Sequence, residues 1–144
     1  MVAGLSEALG GVSSLSGLEE ALAGFMTGFE QAGLPGCPIG TLATEVAGRN
    51  EDARVQAAAG FDAWEGLLAD ALERMCQRGE LRADAPAAVL ATGLLASIEG
   101  GMVLSQARKD MASLRVAVEA GLAQIRTWAP RSSCSRSAST APTT

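Results

Sequence analysis

The residue best placed to do chemistry is Cys37, in the stretch LPGCPIGTL at 34–42, where two prolines and two glycines surround one thiol. A cysteine attacks as its thiolate, so it needs a helper that lowers its pKa, such as a histidine, a cation or a helix N-terminus. The chain contains no histidine. That removes the commonest general base, the commonest metal ligand and every Ser-His or Cys-His nucleophile pair. Pro38 implies a helix start just after Cys37, a modest help to a thiolate, but no acid or orienting group follows nearby in sequence. Cys37 therefore reads as packing at a joint, with a reactive thiol as the lesser alternative. Gly36 and Gly40 flank it, yet GCPIG lacks the Lys and Ser/Thr of a phosphate-binding loop. Cys76 and Cys134 complete three widely spaced cysteines with no C-x-x-C, which gives neither a disulfide framework nor a zinc site and fits a reducing cytoplasm. No catalytic residue, metal or cofactor is expected, and the chain is not expected to be an enzyme.

Two acids stand in apolar surroundings. Glu99 lies between Ile98 and Gly100 in the most apolar part of the chain, and Glu45 follows the Cys37 joint. Each either reaches water or points into a cavity and holds the polar group of a ligand, because a buried carboxylate without a partner is costly. Phe25, Met26, Phe29, Phe61, Trp64, Leu68 and Met102 pose the same choice between lining a cavity and filling a core.

These residues must be positioned by helices. The chain has 144 residues, 48% hydrophobic but only 3% aromatic, and is rich in alanine; such a composition favours helix over sheet and suffices for one core. Val2, Leu5 and Leu9 mark the last turns of a first helix, ended by Gly10-Gly11. Ser16 and Glu19 have the spacing of a capping box, and Leu18, Leu22, Phe25, Met26 and Phe29 form one face of a second helix, stopped at Gly33. A short helix is expected at 41–47. Asn50 is the N-cap of a long helix at 51–78 with Phe61, Trp64, Leu68, Leu72 and Met75 on one face, and Asp70 and Arg74 spaced to pair at i,i+4. Pro86 opens a helix at 86–107 that is apolar nearly all round, with small residues at Gly93, Ala96, Ser97, Gly100 and Gly101. Its interior glycines each cost roughly 0.5–1 kcal/mol against alanine, so Gly100-Gly101 needs a packing reason or marks a bend. A last helix at 111–128 carries Met111, Leu114, Val118, Leu122 and Ile125, with Arg115 and Glu119 spaced to pair.

All sixteen acids precede Pro130, leaving residues 1–129 at 9 − 16 = −7. A surface so acidic, without a basic cluster, argues against nucleic-acid binding. The N-terminus has no basic, apolar signal-peptide pattern. The longest charge-free apolar run, at 85–98, is short of the roughly twenty residues that span a bilayer. A soluble, cytoplasmic protein is expected, in two parts: a domain at 1–129 and a disordered Ser/Thr-rich tail at 130–144.

GCPIGTLATEVAGRN leads into AWEGLLADALERMCQRGELRAD, and then AAVLATGLLASIEGGMVLSQA follows. In this order the pieces resemble the C-terminal, ligand-sensing and dimerising domain of TetR-family transcriptional regulators, in the LmrA/YxaF-like subgroup. The resemblance covers residues 1–129 and is most specific at Gly36–Gly40 with Leu42-Ala43, at RGELRAD (78–84), and at Leu94-Leu95 followed by Ile98-Glu99-Gly100. It implies an all-α fold, an antiparallel bundle of about five to six helices. It implies an effector cavity among the central helices, lined by Met26, Phe29, Leu42, Trp64, Leu68, Glu99 and Met102, for a small apolar effector. It also implies a homodimer through the two C-terminal helices, with Gly93, Leu94, Ser97, Gly101, Leu114, Val118, Leu122 and Ile125 at the interface. Members begin with a helix-turn-helix domain to which nothing here corresponds, so the resemblance implies a truncated regulator without its own DNA-binding domain. The alternative is an interaction protein that forms heterodimers with an intact regulator and binds no ligand.

Overall fold

A computed structural model describes residues 2–46 and 48–130 (of residues 2–5 the backbone only). The tail expected at 130–144 lies from residue 131 onward outside the described residues, as do Cys134 and the helix end expected at Ala47. The described residues form six helices and no strand: α1 (Val2–Leu9), α2 (Leu15–Gln31), α3 (Pro38–Glu45), α4 (Glu51–Gln77), α5 (Ala87–Arg108) and α6 (Ala112–Arg126).

Local chemistry fixes the ends. Asn50 caps α4 as expected, its Oδ1 accepting from Ala53 N at 3.1 Å. Gly33 closes α2 in the left-handed region (φ 78°), and Leu34 N reaches back to Phe29 O at 3.1 Å in a Schellman-type closure. The start of α2 differs from expectation. Ser14, not Ser16, is the N-cap, accepting from Gly17 N at 3.1 Å, and Glu19 instead receives Arg126 of α6. Pro86 is likewise the cap residue of α5 and not its first turn. Between α5 and α6 the chain turns at Lys109, a non-glycine in the left-handed region (φ 58°). The buried Ser105 Oγ accepts from Leu114 N at 3.0 Å, and Asp110 Oδ1 accepts from Ala112 N at 2.9 Å. Together they satisfy the first turn of α6, which has no cap of its own.

The core is one cluster. Leu18, Leu22, Phe25 and Phe29 of α2 meet Trp64, Leu68, Leu72 and Met75 of α4, Leu90, Leu94, Ile98 and Met102 of α5, and Leu114, Val118, Leu122 and Ile125 of α6. The closest helix pair is α5 with α6, through glycines. A β-carbon on Gly101 would stand 2.9 Å from the Leu114 Cα and the Ala117 Cβ, and one on Gly121 would stand 2.7 Å from Leu94 Cδ1. Gly101 thus has its packing reason. Gly100 beside it is exposed and meets nothing within 4 Å.

Other partners replace the i,i+4 pairs expected within helices. Arg74 does not pair with Asp70. Its Nε and Nη2 donate to Val12 O (2.8 Å) and Leu9 O (2.9 Å), carbonyls at the end of α1 and in the turn after it, and so tie α1 to α4. Arg115 turns to Glu30 of α2 at 3.1 Å, and Glu119 takes Arg126. α5 is long and apolar enough to cross a membrane by length and composition, with a mean hydropathy of 1.7 over its most apolar window, of which 39% is buried here. It exceeds the 85–98 run because the helix continues through Glu99.

Candidate functional site

The joint at 34–40 is pressed against two helices. Gly36 sits at φ 80°, and a β-carbon there would meet the Gln106 carboxamide at 2.8 Å; Gln106 Nε2 in turn donates to Pro35 O at 3.3 Å. The backbone angle favours glycine here, and any larger residue would also have to displace the Gln106 carboxamide. Cys37 is the N-cap of α3, its sulfur accepting from Gly40 N at 3.4 Å, and Pro38 occupies the first turn. The helix therefore begins three residues earlier than expected, because proline at its first turn needs no N–H partner. Ile39 packs into the space left by Gly60 of α4, where a β-carbon would stand 3.0 Å from Ile39 Cδ1. Gly40 lies over Glu99 of α5, with 3.1 Å between its β-carbon position and Glu99 Oε2.

Cys37 and Glu99 are thereby brought together. Burial pushes the Cys37 thiol up to about 11; the Gly40 N–H opposes this, and the Glu99 carboxyl beside it adds to it. A thiol in that state is protonated at neutral pH and is not a nucleophile. Burial also raises the Glu99 carboxyl above its ordinary 4.5, opposed by the Cys37 thiol donating toward it. Glu99 Oε1 is buried with no hydrogen-bond partner, and the indole Nε1 of Trp64 is in the same condition. Trp64 is 3% exposed and meets Phe25 edge-on at 5.9 Å, with Phe29 stacked beyond at 6.4 Å.

The other expected lining residues divide. Phe29, Leu68 and Met102 are fully buried, whereas Met26 and Leu42 are half-buried. Glu45 is exposed, which places it on the wet side of α3. Cys76 is half-buried, and burial raises its thiol. A groove of about 890 Å³ runs along α1 and α2, over Val12, Gly17, Ala21, Gly24, Phe25 and Gly28; of the residues weighed as cavity lining, Phe25 alone borders it. Gly60 and Gln106, which seat the joint, carried a weak signal and none respectively: Gly60 is an interior helix glycine, and Gln106 reads as surface.

Of the residues expected at an interface, Leu94, Leu114, Val118, Leu122 and Ile125 have their side chains in the chain's own core, and Gly101 is buried against α6. Gly93 and Ser97 stay at the rim, half-buried. Each of the same two helices nonetheless exposes an apolar strip. α5 presents Val89 (64% exposed), Ala96, Gly100, Val103 (58%) and Leu104, and α6 presents Val116 (71%), Ala120 and Ala123.

Residues 15–120 match the family of transcriptional regulators described as LmrA/YxaF-like, C-terminal domain. The chain belongs to that family. No curated protein and no solved structure matches it. The six-helix, all-α architecture is that of a TetR-type C-terminal domain, and a TetR-type ligand-binding and dimerisation domain is the function the family supports. In this LmrA/YxaF-like domain the GCPIG joint is the contact between α3 and the polar centre of α5.

Proposed function

We propose that this chain senses a small, mainly apolar effector and pairs with a second copy of itself through α5 and α6, without chemistry and without reading DNA through the residues described. The carrying observation is the apolar outer side of α5 and α6. Val89, Val103, Leu104 and Val116 are exposed on the two helices that pack most closely together. Gly100 interrupts α5 at a cost of roughly 0.5–1 kcal/mol with no neighbour inside the chain to justify it. A second α5 crossing there would supply both the burial and the reason for a small residue, and a two-fold interface needs only one such self-complementary patch. This moves the interface from the inward stripe of Leu114, Val118, Leu122 and Ile125 to the outward face beside Gly93 and Ser97.

The effector role rests on Glu99 Oε1 and Trp64 Nε1, two interior polar atoms without partners. The thiol of Cys37 is held protonated, which supports a non-enzymatic role, and the acidity of residues 1–129 supports a domain that does not itself bind nucleic acid. Sedimentation of the folded chain at tens of micromolar tests the pairing: a dimer is expected, and a clean monomer removes it. The full burial of Leu68 and Met102 favours a second reading, in which the chain forms heterodimers with an intact regulator and no ligand takes part. Addition of this chain to a full-length relative in an operator-binding titration separates the two. Weakened operator binding that no effector relieves supports the second.

A further inference from the structure

The two unpartnered groups of the interior stand in a defined relation. Thr92 Oγ1 of α5 donates to Glu65 Oε1 of α4 at 2.8 Å, which sets the level at which these antiparallel helices face each other. Glu99 lies seven residues further along α5, and Trp64 one residue back along α4, in the same spatial direction. At 1.5 Å per residue the two backbones are about 9 Å apart along the helix axes. Long helical side chains lean toward their own N-terminus. In an antiparallel pair that directs Trp64 toward the level of Glu99, and Glu99 toward the level of Trp64.

Their chemistry is complementary to one kind of molecule. The indole N–H only donates, so it needs an acceptor. Glu99 Oε1 needs a donor, and among the described residues no arginine or lysine pairs with it. The Trp64 ring is joined by Phe25 and, beyond it, Phe29, and aromatic faces favour a cation over a neutral group. The cover over Glu99 is α3, a helix that buries none of its own residues and rests on Gly60 and Glu99. It is the element least costly to displace.

Resting on the effector-sensing reading above, we propose that the effector is an apolar, ring-containing amine that also carries a hydrogen-bond acceptor. Its ammonium sits on Glu99 Oε1, its acceptor takes the Trp64 N–H, and it enters beneath α3. Burial of the carboxyl without a countercharge, which raises its pKa, is relieved when the ammonium arrives.

The test uses para-methoxyphenethylamine and its neutral isostere, para-methoxyphenethyl alcohol, titrated into the full chain and followed by backbone amide NMR. The amine is expected to bind at least about tenfold more tightly than the alcohol, the advantage of a charge-assisted hydrogen bond. Glu99→Gln should bring the two probes to parity while keeping the amide spectrum of the folded chain. Trp64→Phe should cancel the gain of the methoxy compound over plain phenethylamine. Alcohol binding as tight as amine binding on the unaltered chain overturns the amine assignment and leaves the effector reading in place. Saturable binding by neither probe overturns both, and that comparison needs no variant to fold.

Discussion

Gly40 and Glu99 are directly apposed: a β-carbon on Gly40 would stand 3.1 Å from Glu99 Oε2, while Oε1 of the same carboxyl is buried and unpartnered. Alanine at Gly40 therefore meets two opposed effects. It gains about 1 kcal/mol as a better helix former, and it crowds a carboxyl that has little freedom to move. In a Glu99→Ala background only the gain remains. Urea unfolding of the double-mutant cycle is expected to show a coupling of about 1 kcal/mol, with Gly40→Ala more favourable when Glu99 is absent. Additive effects would mean that the carboxyl simply swings aside.

The Glu99 carboxyl holds its proton to higher pH in the folded chain than its ordinary 4.5, because burial disfavours the charge. Between those two values the folded state binds more protons than the unfolded state. The stabilisation given by the neutral acid is fully present below 4.5 and is lost as pH rises through the folded value. Glu99→Gln cannot ionise, so it should gain on the unaltered chain as pH is raised from about 4 to 8. Thermal melts across that range read the difference directly. A constant offset would contradict a buried, unpaired acid.

Arg74 holds the end of α1 by hydrogen bonds to Val12 O and Leu9 O. Arg74→Met keeps much of the stem packing and removes the guanidinium. Charge-assisted bonds of this kind contribute about 1.5–3 kcal/mol, so a loss of that order is expected, together with faster amide exchange confined to α1 and the turn after it. Unchanged exchange in α1 would mean that its apolar contacts alone keep it docked. Asp70→Asn should be nearly silent, since Asp70 is not the partner of Arg74.

The helices and most of their ends were legible because their causes are local: the Asn50 cap, the Gly33 stop and the spacing of Leu18, Leu22, Phe25 and Phe29. The arginine pairings were not. The i,i+4 rule sees only one helix, whereas Arg74, Arg115 and Arg126 each reach a neighbouring one. Ser16 and Glu19 had the right spacing for a capping box, but Ser14 caps the helix two residues earlier and Arg126 claims Glu19. Periodicity found the buried face of α6 correctly without showing what buries it. Leu114, Val118, Leu122 and Ile125 are covered by the chain's own core, so the free face had to be read from Val116, Ala120 and Ala123. At the candidate site, Glu99 and Trp64 were named from sequence, but their shared lack of a partner belongs to the three-dimensional arrangement alone.

The pairing of two copies through α5 and α6 is tested most directly by sedimentation velocity on three chains: unaltered, Val103→Glu with Val116→Glu, and Val55→Glu. Val55 is an exposed valine on α4, at 51%, and controls for added surface charge. Dimers are expected for the unaltered chain and for Val55→Glu, and a monomer of unchanged helix content for the Val103/Val116 pair, because two buried carboxylates per copy cannot be desolvated without partners. A monomeric unaltered chain, or a Val103/Val116 variant that stays dimeric, would contradict the pairing.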